Sequence, residues 1–354
     1  MDDAAAGASG MTLAQHAQHA QRRARVAAPG LALALAVAVL ATVLSALTPR
    51  VIGPVVIAVL LGLAAKNLLR LPALLAPGLS VATTRVLRTG VVLLGARLSL
   101  GDVLSLGSMA LWVAVACMTV AFLTVALLAR LLRVPTRLAV LLGVGTAVCG
   151  NSAIMATSPV IDAEDREMGF AVGTITLFGT TSLLLFPLVG RMFDLPDEVF
   201  GFWVGLAIND TSQVVAAAAA YSPRALEVAT VVKLVRNALM APLIVLIAWW
   251  SIRSRIRTAS EGGEVRTAAL KAFPVFVLGF LAVAALSSFG VISERMSSLA
   301  GDASSFLIVT AIAAIGLTTD LREIRSVGPR PILVALGATA VLAVLGLAFA
   351  QLLR

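Results

Sequence analysis

Apolar residues run along this chain in long, nearly uncharged stretches separated by short polar turns. A helix crosses a bilayer with about 20 mostly apolar residues. Eleven stretches meet that length: 31–48, 51–69, 80–99, 109–130, 137–161, 168–190, 198–221, 225–250, 271–291, 304–321 and 331–353. The pattern predicts an all-α polytopic membrane protein of about eleven transmembrane helices. Residues 1–30 are expected to be a disordered cytoplasmic tail and 31–353 a single transmembrane domain. The first stretch resembles a secretory signal, since Arg22, Arg23 and Arg25 precede it. A second stretch follows after only Thr48, Pro49 and Arg50, which favours a retained anchor.

Composition agrees with the pattern. Hydrophobic residues make up 60% of the 354 residues and charged residues only 13%; the mean hydropathy is +1.01. A soluble domain carries about 25% charge. The net charge of +9 would suggest nucleic acid in a soluble protein; here it reads as the arginine-rich loops of a polytopic one. Cys117 and Cys149 both lie in apolar runs, which argues against a disulfide framework. The only histidines, His16 and His19, fall in the tail. No histidine is therefore available within the membrane for catalysis, metal ligation or proton relay, and no metal or cofactor is expected.

Basic residues set the orientation. With the N-terminus inside, the inner segments and flanking helix ends hold nineteen Lys and Arg residues, among them Arg130, Arg133, Arg137, Arg253 and Arg330. The outer segments hold six: Arg50, Arg97, Arg166, Arg224, Arg295 and Arg354. This predicts a multi-pass cell-membrane protein with a cytoplasmic N-terminus and an outer C-terminus. Trp112, Trp203, Trp249, Trp250 and Tyr221 fall near predicted helix ends, as interfacial aromatics do. The longest loop, 251–270, reads as a polar connector.

Two of the twenty-seven basic residues remain. Lys233 and Arg236 lie inside 225–250, on one helix face that also carries Asn237. Asp210 lies inside 198–221, which the short turn at Ser222 and Pro223 makes an antiparallel neighbour. All three fall at similar depth, where each charge costs roughly 2.5–3.5 kcal/mol to insert. Asp210 is expected to pair with Lys233 or Arg236; a pair that merely locks two helices is the alternative. One acid against two bases leaves a positive surplus, which favours an anion; a neutral Lys233 would serve the same balance.

Two polar breaks accompany these charges. Gly150, Asn151 and Ser152 interrupt 137–161, with Asn or Ser suited to cap a new half-helix. Asn209, Asp210, Thr211, Ser212 and Gln213 interrupt 198–221 in the same way. Half-helix N-termini at mid-membrane attract anions; small residues for close helix packing are the plainer reading.

The segments 149–160 (CGNSAIMATSPV), 177–181 (LFGTT), 201–216 (GFWVGLAINDTSQVVA) and 233–242 (KLVRNALMAP) resemble the sulfate-exporter family of bacterial inner-membrane proteins. That family is distantly related to the bile-acid, arsenite and auxin carriers, and the resemblance covers about residues 50–350. It implies a secondary carrier with two inverted five-helix repeats, one extra N-terminal helix and crossing broken helices. On that arrangement 304–321 pairs with 137–161, with Gly316 to Asp320 supplying its polar residues. The family's pattern has histidine followed by an acid where this chain has Asn209 and Asp210. Asn209 cannot titrate, which leaves Asp210, another ion, or no coupling.

The combined expectation is a transporter, in the exporting direction, for a small anion, with a sulfur oxyanion first. Gly150, Asn151, Ser152, Asn209, Asp210, Thr211, Gln213, Lys233, Arg236 and Asn237 would form the site, with Arg236 gripping the oxyanion bidentately. The partners are the anion and the lipid bilayer, not nucleic acid; a homo-oligomer is left open. An anion channel would line a continuous path with polar rings, and a lipid-acting enzyme would show a metal or His/Glu cluster.

Overall fold

A computed structural model describes residues 13–47, 54–69, 71–253, 275–320 and 329–352. Among these residues every regular element is helical. In chain order they are α1 (Leu13–Leu47), α2 (Pro54–Leu68), α3 (Ala76–Val81), α4 (Leu87–Leu94), α5 (Leu100–Leu131), α6 (Thr136–Ala147), α7 (Asn151–Thr157) and α8 (Asp165–Met192). There follow α9 (Asp197–Ala207), α10 (Thr211–Tyr221), α11 (Pro223–Ala238), α12 (Met240–Arg253), α13 (Phe276–Ser288), α14 (Glu294–Thr318) and α15 (Pro329–Leu352).

Every predicted apolar stretch contains helix, but the stretches do not all become single long rods. Seven helical segments among the described residues are long and apolar enough to cross a membrane: 25–47, 73–97, 103–131, 166–192, 223–251, 294–318 and 329–352. Pro54–Leu68, Thr136–Ala147 and Phe276–Ser288 are shorter apolar helices. The stretches 137–161 and 198–221 are each cut in two. Most of the 251–270 loop lies outside the described residues.

Helix α1 begins at Leu13, so the stretch expected to be disordered is helical from that point. Alanine, glutamine and arginine are good helix formers, and nothing between Leu13 and Pro29 interrupts them.

The chain divides into two compact units. The first comprises residues up to Leu87 with Val309–Thr319. Here α1 packs against α2 and α3, and Ala34, Leu79, Ala82, Ala314 and Leu317 form a buried cluster. Small side chains at the contact let helices approach closely in a membrane, where packing rather than hydrophobicity drives association. Asn67 Nδ2 donates to Leu63 O at 2.8 Å and Thr319 O at 3.0 Å. Helix α14 continues through Gly316 to Thr318, and Gly316 packs against the backbone of Gly62.

The second unit holds Arg88–Ile308 and Asp320–Arg354. Helix α11 packs against α5, α9 and α10, while α15 covers α5, α8 and α9. Trp203 belongs to this core rather than to an interface. It is 3% exposed, stacks on Phe186 at 4.4 Å and donates Nε1–H to Ala343 O at 2.7 Å. Phe186 of α8 and Ala343 of α15 reach it from other helices, which local position within 198–221 could not reveal. Tyr221 closes the end of α10 by stacking on Phe200 and donating to Leu195 O at 2.5 Å. Trp112 and Trp249 are exposed.

Candidate functional site

The site begins with two interruptions. Helix α6 stops at Ala147, Val148 leaves the helical region, and Gly150 takes φ 62° and ψ −126°. An L side chain rarely adopts that conformation, so glycine is the residue that permits the turn. Helix α7 then starts at Asn151, with Gly150 at its cap and no side-chain capping bond. The expectation that Asn151 or Ser152 would cap it is therefore not met.

In the second interruption, Ile208 and Asp210 are extended between α9 and α10. Asp210 caps α10: its Oδ1 accepts Ser212 N–H at 2.8 Å and the Ser212 hydroxyl at 2.5 Å. A carboxylate at this position satisfies an orphan N–H and suits the helix dipole.

The two interruptions meet. A β-carbon on Gly150 would lie 3.2 Å from Asp210 Cβ and 3.3 Å from Asp210 Oδ2. Two irregular backbones sixty residues apart in the chain thus meet inside an apolar unit, where each free N–H or C=O needs a partner.

Lys233 and Arg236 supply those partners. Lys233 Nζ donates to Val148 O at 2.7 Å, Ile208 O at 3.0 Å and Asn209 O. Arg236 Nη1 donates to Gly205, Leu206 and Ile208 carbonyls, and Nη2 to Thr146 O and Ala147 O at 3.1 and 2.8 Å. Its Nε reaches Ala147 O at 3.3 Å. Both residues are buried, at 0% and 1% exposure.

This corrects two expectations. Asp210 forms no ion pair with Lys233 or Arg236; its Oδ1 is engaged instead by Ser212. Nor does Arg236 present an open fork to an oxyanion, because all three of its nitrogens hold backbone carbonyls. The physical reason is common to both. The C-terminal ends of α6 and α9 expose carbonyls carrying about half a negative charge per helix. Two buried cations meet that demand directly.

The remaining candidates fall around the same crossing. Asn237 Nδ2 donates to Thr211 Oγ1 at 3.1 Å. Asn151 Nδ2 donates to Thr176 Oγ1 at 3.0 Å, and Gln213 Nε2 approaches Thr180 Oγ1 at 3.4 Å. Ser152 is exposed. Asn209, 1% exposed, makes no side-chain hydrogen bond among the described residues; Gln213 Oε1, Asn237 Oδ1 and Thr146 Oγ1 are likewise without one.

Thr176, Gly179 and Thr180 of α8 were not among the sequence candidates. Their signal lay in the spacing i, i+3, i+4, which puts a small polar stripe on one face of an otherwise apolar helix. Among the described residues, no group of three or more His, Cys, Asp or Glu side chains is arranged to hold a metal.

Comparison with known proteins adds a lineage. The family model described as Conserved hypothetical protein 698 matches residues 29–335. A UPF0324 membrane protein of Clostridium tetani is 34% identical over 311 residues, covering 85% of this chain and 90% of its own length. UPF0324 membrane protein TauZ of Paracoccus denitrificans is 36% identical over 291 residues, covering 81% and 85%. A UPF0324 membrane protein of Streptococcus pyogenes serotype M18 is 37% identical over 314 residues, covering 86% and 91%. No solved structure matches the chain.

Proposed function

Because this chain belongs to the Conserved hypothetical protein 698 family, whose relatives above are named membrane proteins, we propose that it is a secondary transporter for a small anion. A sulfur oxyanion such as sulfate or sulfite is the first candidate, moved outward. The observation that carries this reading is the meeting of two interrupted helices at Gly150 and Asp210, with two bases buried beside them.

Charge argues for an anion. Lys233 and Arg236 bring two positive charges. Asp210 and the C-terminal ends of α6 and α9, at about half a charge each, offset them. The first turns of α7 and α10 then add a similar positive contribution, so the crossing as a whole favours a negative partner. Discontinuous helices near mid-membrane are a recurring arrangement for substrate sites in carriers.

Eleven spans, a cytoplasmic N-terminus and an outer C-terminus are proposed on the distribution of Lys and Arg, and the bacterial inner membrane on the family resemblance. Under that count 137–161 and 198–221 run in the same direction. The two inverted five-helix repeats implied by the resemblance would not relate these two segments to each other.

Purified protein in a thermal-shift series with sulfate, sulfite, thiosulfate, small sulfonates and carboxylates tests the substrate class, since a ligand bound by the folded state raises its melting temperature. Proteoliposome flux of the best ligand, with and without an imposed ion gradient, separates carrier from channel. Absence of both a shift and a flux for every anion would sink the reading.

A further inference from the structure

The two interrupted helices are held unequally on their two sides. On one side, α11 grips the ends of α6 and α9 through Lys233 and Arg236, with charge-assisted bonds mostly of 2.5–3.1 Å. On the other, the first turns of α7 and α10 are held largely by α8, through neutral groups. Asn151 and Thr176 exchange bonds of 3.0 and 3.4 Å. Gln213 Nε2 reaches Thr176 O at 3.5 Å and Thr180 Oγ1 at 3.4 Å. The Asn237–Thr211 hydrogen bond, also neutral, links α11 to the start of α10.

Gly179 sits between these threonines. A β-carbon there would lie 1.8 Å from Gln213 Oε1 and 2.5 Å from Gln213 Cδ. The Gln213 amide therefore rests on the backbone of α8, and any larger residue would push it away. Gln213 is 5% exposed, and its Oε1 has no hydrogen-bond partner among the described residues.

We infer that Thr176, Gly179 and Thr180 form a positioning face of α8 that sets the first turns of α7 and α10, with Gly179 admitting the Gln213 amide to the crossing. As a statement about substrate handling this rests on the transporter reading above. Neutral hydrogen bonds of 3.0–3.5 Å are weaker than short charge-assisted ones. The α8 contacts consequently yield before those of α11 when the crossing changes shape, and the first turns of α7 and α10 move against a fixed frame.

Cys149 provides a readout independent of substrate. It adjoins Gly150, is 4% exposed, and its thiol contacts Met240 Sδ at 3.2 Å. In a Cys117→Ala background, the rate of Cys149 modification by N-ethylmaleimide reports opening of the crossing. Thr176→Val keeps the shape but removes the hydroxyl, and Gly179→Ala displaces Gln213. Each should speed modification about five- to tenfold, the scale of one lost neutral hydrogen bond. Combining Gly179→Ala with Gln213→Ala removes the clash, so the double variant should react no faster than Gln213→Ala alone. If Gly179→Ala alone does not fold, the double variant should restore folding.

In sulfate-loaded proteoliposomes, Thr176→Val and Gly179→Ala should raise KM for sulfate about fivefold while Vmax stays within about twofold. Modification rates at the parent value in both single variants overturn the inference, even if sulfate transport is intact. So does a double variant that reacts faster than Gln213→Ala or fails to restore folding. Shifted modification rates in a protein that moves no sulfate leave the positioning face standing and reject the proposed substrate.

Discussion

Lys233 Nζ donates to the carbonyl of Val148 at 2.7 Å, joining a base on α11 to the end of α6. The same ammonium also holds Ile208 and Asn209 beyond the end of α9. One side chain thus ties together two interruptions that lie sixty residues apart in the chain, and Arg236 repeats the arrangement one turn later. The two bases are frame members of the crossing. They supply positive charge to it without presenting free donors.

Lys233→Met should consequently be severe. It leaves carbonyls of Val148, Ile208 and Asn209 without their donor, and a buried unpaired polar group costs about 1–3 kcal/mol. The expected result is a large loss of folded protein, read by size-exclusion chromatography of a fluorescent fusion. A monodisperse variant melting with the parent would show that these carbonyls need no base.

Arg236→Lys tests the same idea more finely. Lysine keeps the charge but offers three donors from one point, and cannot span Thr146, Ala147, Gly205, Leu206 and Ile208 at once. Each charge-assisted bond lost is worth about 1.5–3 kcal/mol. The melting temperature should fall whether or not an anion is present. A variant of parental stability whose only defect is weaker anion binding would instead return Arg236 to the substrate.

Asp210→Asn should fold well, since asparagine also accepts from an N2 backbone N–H and caps helices about as well as aspartate. Neither buried base depends on the Asp210 carboxylate for an ion pair. Asp210→Ala loses the cap and should cost about 1 kcal/mol. Melting curves of the two variants in detergent decide the point. Equal losses would mean that the charge, not the cap, holds this break.

Gly150→Ala places a side chain at φ 62° and against Asp210. Strained backbone of this kind costs about 1–3 kcal/mol. Lower stability and loss of anion flux are expected together. Parental flux from Gly150→Ala would remove the crossing from the transport path.

The proposed topology is checked with single cysteines in a background lacking Cys117 and Cys149. A cysteine at Ala163 should react with an impermeant maleimide in intact cells, and one at Ser260 should be shielded. The opposite pattern would reject the proposed orientation.

Sequence alone determined the solvent this protein is built for and the places where its helices would be interrupted. Runs of apolar residues of bilayer length leave the backbone no partner but itself, so helix follows. Gly150 stood out because a glycine within such a run weakens the helix, and Asp210 because a carboxylate there needs a balance. Asn209, Lys233 and Arg236 stood out because polar groups there are costly. What those groups touch was beyond its reach. Simple charge matching paired Asp210 with the bases, yet hydrogen-bond demand is settled by which backbone atoms the fold leaves exposed. Only the tertiary structure brings the carbonyl ends of α6 and α9 to one face of α11, and these took the cations. Only it lays α8 beside both first turns, giving meaning to Thr176 and Gly179, whose residue types carry no chemistry by themselves. It also buries Trp203 and runs α14 unbroken past Gly316, because partners distant in sequence decide whether an aromatic faces lipid and whether a glycine bends a helix or lets another pack against it.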